Sequence, residues 1–155
     1  MKTRILLVGK MNNHHVEALA EMYRRRIQHY VPINFEIVKA EKIKHLSDEE
    51  ILQREGERIP SKLDNSDYVI ILDKAGKQIA STNFAELFND VARRGTKRIT
   101  FIVGGPLGLS EAMKNSGDQV ISFSKMTFPH ELAVVMLLEQ IYRAQSILKG
   151  EKYHK

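Results

Sequence analysis

Three stretches near the carboxyl terminus carry residue types that can do chemistry. The first is Phe101-Ile-Val-Gly104-Gly105-Pro-Leu-Gly108, glycines that directly follow an apolar run. Without a Cβ, backbone in such a turn can approach a ligand closely. The second is Phe123-Ser124-Lys125-Met126-Thr127-Phe128-Pro129-His130, a loop of small and polar residues closed by a proline at a helix start. Two such loops at the ends of neighbouring strands suggest the two walls of one cofactor site. His130 lies in a first helical turn, where the dipole disfavours imidazolium, so a neutral ring is expected. That ring could hold a reacting base or tie down its loop. The third stretch is the terminal Tyr153-His154-Lys155. Short tails usually fray, so on these grounds alone it reads as inert.

The other motifs are weaker. Gly104-Gly105-x-x-Gly108 is not the dinucleotide fingerprint, and no Gly-Lys-Ser/Thr follows to make a phosphate loop. Taken alone, it fits a tight structural turn equally well. Asp73-Lys-Ala-Gly76-Lys77 sits at another strand end and could touch a ligand, but a β-turn with Gly76 at positive φ is the favoured reading. His14-His15 reads as a surface feature. There is no Ser-His-Asp spacing, no HExxH and no metal-ligand cluster.

Strands alternating with helices must position these loops. Arg4–Val8 is a buried strand broken by Gly9, and a helix follows from about His14 to His29. Pro32 turns the chain into Ile33–Val38, which alternates as if one face were wet. Ser47-Asp-Glu-Glu50 has capping-box spacing and starts a helix ending near Pro60. Tyr68–Leu72 and Ile99–Val103 are runs typical of strands buried on both faces. A helix covers about Phe84 to Arg94 and stops at Gly95. A short helix near Ser110–Asn115 precedes a fifth strand, Val120–Phe123. The last helix runs from about Pro129 to Lys149. The pattern predicts one α/β domain over 1–155, a mostly parallel sheet with helices on both faces. In the last helix, Leu132-Ala-Val-Val-Met-Leu-Leu138 is apolar all round, more than one sheet face requires. A homodimer would bury the excess; a helix sandwiched inside the monomer is the alternative.

With 155 residues and 43% hydrophobic content, the chain has room for a proper core. The absence of cysteine excludes disulfides, thiolate zinc and a cysteine nucleophile, and fits a cytoplasmic protein. The amino terminus reads as a strand, not a signal peptide, and Leu132–Leu138 is too short to cross a bilayer. A net charge of +5 favours a polyanionic partner. Basic clusters stand at Arg24-Arg25-Arg26, at Arg93-Arg94 with Lys97-Arg98, and at Lys149, Lys152 and Lys155. Each alone is more often a solvated face; together they favour contact with RNA or DNA.

Several of these pieces occur together in one known family. They are Val8-Gly9-Lys10, Glu55-Gly56-Glu57-Arg58-Ile59, Leu72-Asp73-x-x-Gly76-Lys77, Gly104-Gly105-Pro-x-Gly108-Leu, Phe123 to His130, Glu139-Gln-x-Tyr142-Arg143-Ala144 and Tyr153-His154-Lys155. In this order, and over essentially the whole chain, they resemble the ribosomal RNA large-subunit methyltransferase H family of the SPOUT superfamily. The resemblance implies a homodimeric enzyme that uses S-adenosylmethionine to methylate N3 of a pseudouridine in 23S rRNA of the assembled ribosome, without a metal. It implies a carboxyl-terminal trefoil knot, which periodicity does not show. Matched residue by residue, the cofactor would rest on Leu72, Gly104, Gly105, Phe123, Ser124, Lys125, Met126, Thr127 and Phe128. The active site would lie at the subunit interface, with Tyr153, His154 and His130 as catalytic candidates. One departure is Val134, where the resembled family usually has arginine; Lys125 is a candidate replacement. A noncatalytic RNA-binding or ribosome-associated factor on the same fold is the rival reading, and a mononucleotide-binding doubly wound protein is a more distant one.

Overall fold

A computed structural model describes residues 1–42 and 44–154. Lys155, part of the third basic cluster, lies outside the described residues. Strand β1 (Lys2–Val8) leads to helix α1 (His14–Gln28), then β2 (Ile33–Val38) and α2 (Asp48–Glu57). A single 3-10 turn, Pro60–Lys62, precedes β3 (Asp67–Gln78) and α3 (Ser81–Arg93). The chain finishes with β4 (Arg98–Val103), α4 (Glu111–Asn115), β5 (Gln119–Ser122) and α5 (His130–Leu148). The strands form one five-stranded parallel sheet in the order β2-β1-β4-β3-β5.

Strand alternation divides the core in two. Ile5, Leu7, Ile70, Phe101 and Val103 meet α1, α3 and α5 on one face. Leu6, Val8, Val69, Ile71 and Ile102 meet Ile59, Leu109 and Met113 on the other. Both faces are therefore covered, as the apolar runs of β1, β3 and β4 require. Edge strand β2 departs from simple alternation: Ile33 and Val38 are buried while Ile37 is exposed.

Local signals explain several boundaries. The Ser47 hydroxyl accepts the Glu50 amide, and the Glu50 carboxylate accepts the Ser47 amide, a complete capping box. Such a cap is worth about 1 kcal/mol. Helix α3 begins three residues earlier than its apolar pattern suggested. Its N-cap, Ala80, has no side chain to announce it, and the Ser81 hydroxyl donates instead to Gln140 on α5 at 2.7 Å.

Two expectations need correction. The segment Asp73–Lys77 is not a free turn but an irregularity within β3, which bulges after Leu72 and returns to pair Lys77 and Gln78 with β5. Gly76 is required there by proximity and not by positive φ. A Cβ on it would lie 2.6 Å from the Ile121 backbone carbonyl carbon. The second concerns α5. Most of its apolar start is buried within the chain, between α1, α3 and the sheet, while Leu132 stays exposed. Val134, Leu137, Leu138 and Ile141 have no exposed surface. Of that apolar excess only Leu132 is left exposed for a second copy to cover.

Candidate functional site

A cleft of about 270 Å³ opens at the carboxyl ends of β3, β4 and β5. Both sequence-predicted loops line it. Leu72, Gly104, Gly105, Phe123, Ser124, Met126, Thr127, Phe128 and His130 all face this cavity, while Lys125 does not. Apolar wall is added by Val103, Ile121 and Ala133, and polar groups by Ser122, Asp73, Lys74 and Lys114.

The glycine loop folds back on itself. Gly105 and Gly108 form an antiparallel bridge, with the Gly108 amide donating to the Gly105 carbonyl at 2.9 Å. A Cβ on Gly104 would lie 2.5 Å from the Gly108 carbonyl carbon, so only glycine fits. The Glu55–Ile59 motif braces this loop from behind. Glu55 is buried and accepts the Glu41 amide at 2.8 Å. Gly56 sits where a Cβ would be 3.0 Å from the Ser110 hydroxyl that caps α4.

In the second loop, hydroxyls replace regular backbone pairing. Ser122 donates to the Ser124 carbonyl at 2.8 Å, and the Ser124 hydroxyl accepts the Met126 amide at 3.0 Å. Glu131 accepts the amides of Asn12 (2.8 Å) and Asn13 (3.2 Å), clamping the start of α5 to the β1–α1 loop. His130 Nε2 lies 3.4 Å from the Lys10 carbonyl oxygen. His130 thus lines the cleft with its ring beside the β1–α1 loop.

The tail is not frayed. Gly150 at φ +70° ends α5, its amide donating to Ile147 while the Glu151 amide donates to Ser146. This is a Schellman closure. Tyr30 then donates to Glu151 at 2.6 Å. The Tyr153 hydroxyl donates to Glu139 at 3.1 Å, and its ring packs edge-on to Tyr142 with centroids 4.7 Å apart. Burial, followed by hydrogen bonding to Tyr23 and Glu139, pushes the Tyr153 phenol well up, so it remains a protonated donor. Arg143 lies over the Tyr153 ring, with Nη1 3.4 Å from His154 Nδ1. Glu139 is nine residues beyond His130 on α5, about 13 Å along the axis. One chain therefore does not bring Tyr153 and His154 to its own cleft.

Much of the expected basic surface is already paired. Arg24 and Arg25 hold Glu21, Arg93 holds Asp90, and Arg98 is committed to Asp64 and Asp67. Arg26 lies over Tyr23 and Tyr142, and Arg94 over Tyr68. Sequence clustering missed a different set. Lys74 lines the cleft, and Lys10 and Lys125 stand on its flanking loops; among the described residues none of the three forms an ion pair. No spacing in the sequence links them. Val134 lies in the core and not on the cleft, so the departure from the resembled arginine falls among packed side chains. Among the described residues no group of three potential metal ligands occurs, and no helix is long and apolar enough to cross a membrane.

Comparison with known proteins agrees with this architecture. Residues 1–154 match a family model described as a predicted SPOUT methyltransferase. Solved structures share the fold at low identity: a probable methylase family protein from Haemophilus influenzae (TM-score 0.58, 13% identical, covering 99% of this chain and 70% of that one) and a probable methyltransferase from Bordetella pertussis (TM-score 0.58, 10% identical, 93% and 94% covered). The sequence and the fold together are those of a SPOUT methyltransferase. Curated relatives named ribosomal RNA large subunit methyltransferase H are 41% identical in Christiangramia forsetii, with 99% of each chain covered, and 40% identical in Leuconostoc citreum, with 100% of each covered. The chain belongs to the ribosomal RNA large subunit methyltransferase H family.

Proposed function

We infer that this methyltransferase uses S-adenosylmethionine to methylate N3 of a pseudouridine in 23S rRNA of the assembled ribosome, as a cytoplasmic homodimer of single SPOUT domains. The observation that carries this reading is the cleft itself: a glycine loop with no room for a Cβ faces a hydroxyl-rich loop across apolar walls. That donor set fits the cofactor. Leu72, Val103 and Phe123 offer surface to an adenosine, and Gly104 and the Ser122–Ser124 backbone offer close polar contact. The trefoil knot rests on membership of the family, and the crossover from β4 past β3 to β5 is compatible with it.

When bound, the cofactor supplies an electrophilic methyl group on a sulfonium sulfur. The protein must hold the acceptor in line and receive the proton that N3 gives up as it takes the methyl group. Once N3 has lost its proton it is anionic, so charge is neutralised as it takes the methyl group, which suits a site with little water. Lys10, Lys74 and Lys125 are placed to receive phosphates around the cleft, and specificity would come from folded ribosomal surface. What supports a dimer is the distance from the tail to its own cleft, together with exposed Leu19, Met22 and Leu132 on α1 and α5. A second copy would bring its Tyr153 and His154 to this cleft.

The test is incubation with methyl-labelled S-adenosylmethionine and ribosomes from cells lacking the modification, followed by mass-spectrometric mapping. Label on N3 of one pseudouridine supports the reading; cofactor binding without label would favour a noncatalytic ribosome-associated factor. His154→Ala is expected to lower turnover about a hundredfold or more while leaving cofactor affinity unchanged. Unaltered turnover would remove the tail from the reaction.

A further inference from the structure

Asp73 and Lys114 face each other at the cleft, and the reaction as derived uses neither. Asp73 follows the last residue of β3 that pairs with β4, and Lys114 is on α4, beyond the glycine loop. Their Oδ2 and Nζ are 3.2 Å apart, with side chains only 10% and 21% exposed. Among the described residues, Asp73 is the single carboxylate lining the cleft. Its Oδ1 accepts the Ala75 amide at 2.9 Å, which fixes its orientation. Lys114 also meets Glu111 at 2.8 Å, but that carboxylate is 82% exposed.

Besides the unpaired Lys74, the cleft therefore holds one negative and one positive group in direct contact, partly shielded from water. Each compensates the other while no ligand is present, so neither is left as a lone desolvated charge. A ligand bearing only one charge would attract one member and repel the other. A ligand with an ammonium and a carboxylate on a single carbon satisfies both. We propose that Asp73 and Lys114 together read the amino-acid end of the cofactor, Asp73 taking the α-ammonium and Lys114 the α-carboxylate. The inference rests on S-adenosylmethionine as the occupant of this cleft. It makes the pair a specificity device, separate from the apolar and glycine walls that would take the adenosine.

Two ligands separate these contributions: S-adenosylhomocysteine, which has the amino-acid group, and 5′-methylthioadenosine, which lacks it. Calorimetric titration of the full chain should show a preference for the first. Asp73→Asn, which can still accept the Ala75 amide, and Lys114→Met, which keeps an apolar stem, should each lose about tenfold to a hundredfold of that preference. Affinity for 5′-methylthioadenosine should stay unchanged in both, which also reports that the cleft is folded. Lys114→Arg and Glu111→Gln should retain the preference. A full preference in both Asp73→Asn and Lys114→Met overturns the proposal. So does an equal loss for both ligands, which would assign the pair to the adenosine end or to the scaffold. If the unaltered protein binds neither ligand, the cofactor reading of the cleft fails first, and the two failures are distinguishable.

Discussion

Gly104→Ala is expected to weaken binding of S-adenosylmethionine about a hundredfold, equivalent to about 3 kcal/mol. The new Cβ would stand 2.5 Å from the carbonyl carbon of Gly108 and 3.0 Å from its Cα. Both are backbone atoms, so no side chain can rotate away, and the loop itself must move. Neighbouring glycines provide the controls. At Gly105 the nearest atom to an added Cβ is Val8 Cγ1 at 3.4 Å, an ordinary contact, and binding should change little. At Gly108 there is open space, but φ is +84°. Alanine there should cost about 1–2 kcal/mol of stability and less affinity than at Gly104. Titration calorimetry on the three variants should rank the loss as Gly104, then Gly108, then Gly105. Unchanged affinity in Gly104→Ala would remove this loop from the cofactor site.

Asp67→Ala should have the largest effect on stability, about 3–5 kcal/mol, because it removes the buried carboxylate that Arg4 and Arg98 share and leaves Arg4 only Glu36 at 3.6 Å. The Asp67 carboxylate has no exposed surface. It accepts Arg98 Nε at 2.6 Å, Arg4 Nη2 at 2.6 Å and the Asp64 amide at 3.1 Å, joining the starts of β1, β3 and β4. Arg4 further donates to Thr100 at 3.2 Å. Burial alone would push this carboxyl up, but the bonds from Arg98 and Asp64 and the charge of Arg4 outweigh it and hold it below its ordinary value. A depressed carboxyl contributes fully above its unfolded pKa of about 4. The contribution is lost as pH falls through the lower, folded value. Denaturant melts should show the full deficit of Asp67→Ala at pH 7, narrowing in acid. Asp67→Asn should give a flatter acid limb than the unaltered protein. A deficit below about 1 kcal/mol, the range of exposed pairs, would count against the network.

The order and type of the elements were legible because the parallel strands are apolar on both faces and Pro and Gly punctuate them. Both walls of the cleft were legible as loops, since glycine and hydroxyl clusters stand directly beyond strands. What escaped the sequence depends on contacts distant along the chain. Gly76 looked like a turn glycine, yet its constraint is the Ile121 backbone. The apolar circumference of α5 looked like an interface, yet α1 and α3 cover most of it and leave Leu132 exposed. Tyr153 looked frayed because its partners, Glu139 and Tyr142, are a helix away in sequence. Arg98 looked available for a polyanion, although Asp67 already holds it. The Asp73–Lys114 pair had no local signal, since it joins two elements through space.

The position of β4 between β1 and β3 bears on how the chain is made. Ile5 pairs with Phe101 and Ile70 with the same Phe101, so the centre of the sheet is supplied by a late segment. During synthesis β1 and β3 leave the exit tunnel with their inner edges unpaired and apolar on both faces. Such edges invite pairing with other chains. A nascent chain stalled before Arg98 would be an aggregation hazard and a natural client for holdase chaperones. The same order delays the cleft: its glycine loop, its hydroxyl loop and α5 all follow β4, so capacity to bind a cofactor emerges only as translation finishes.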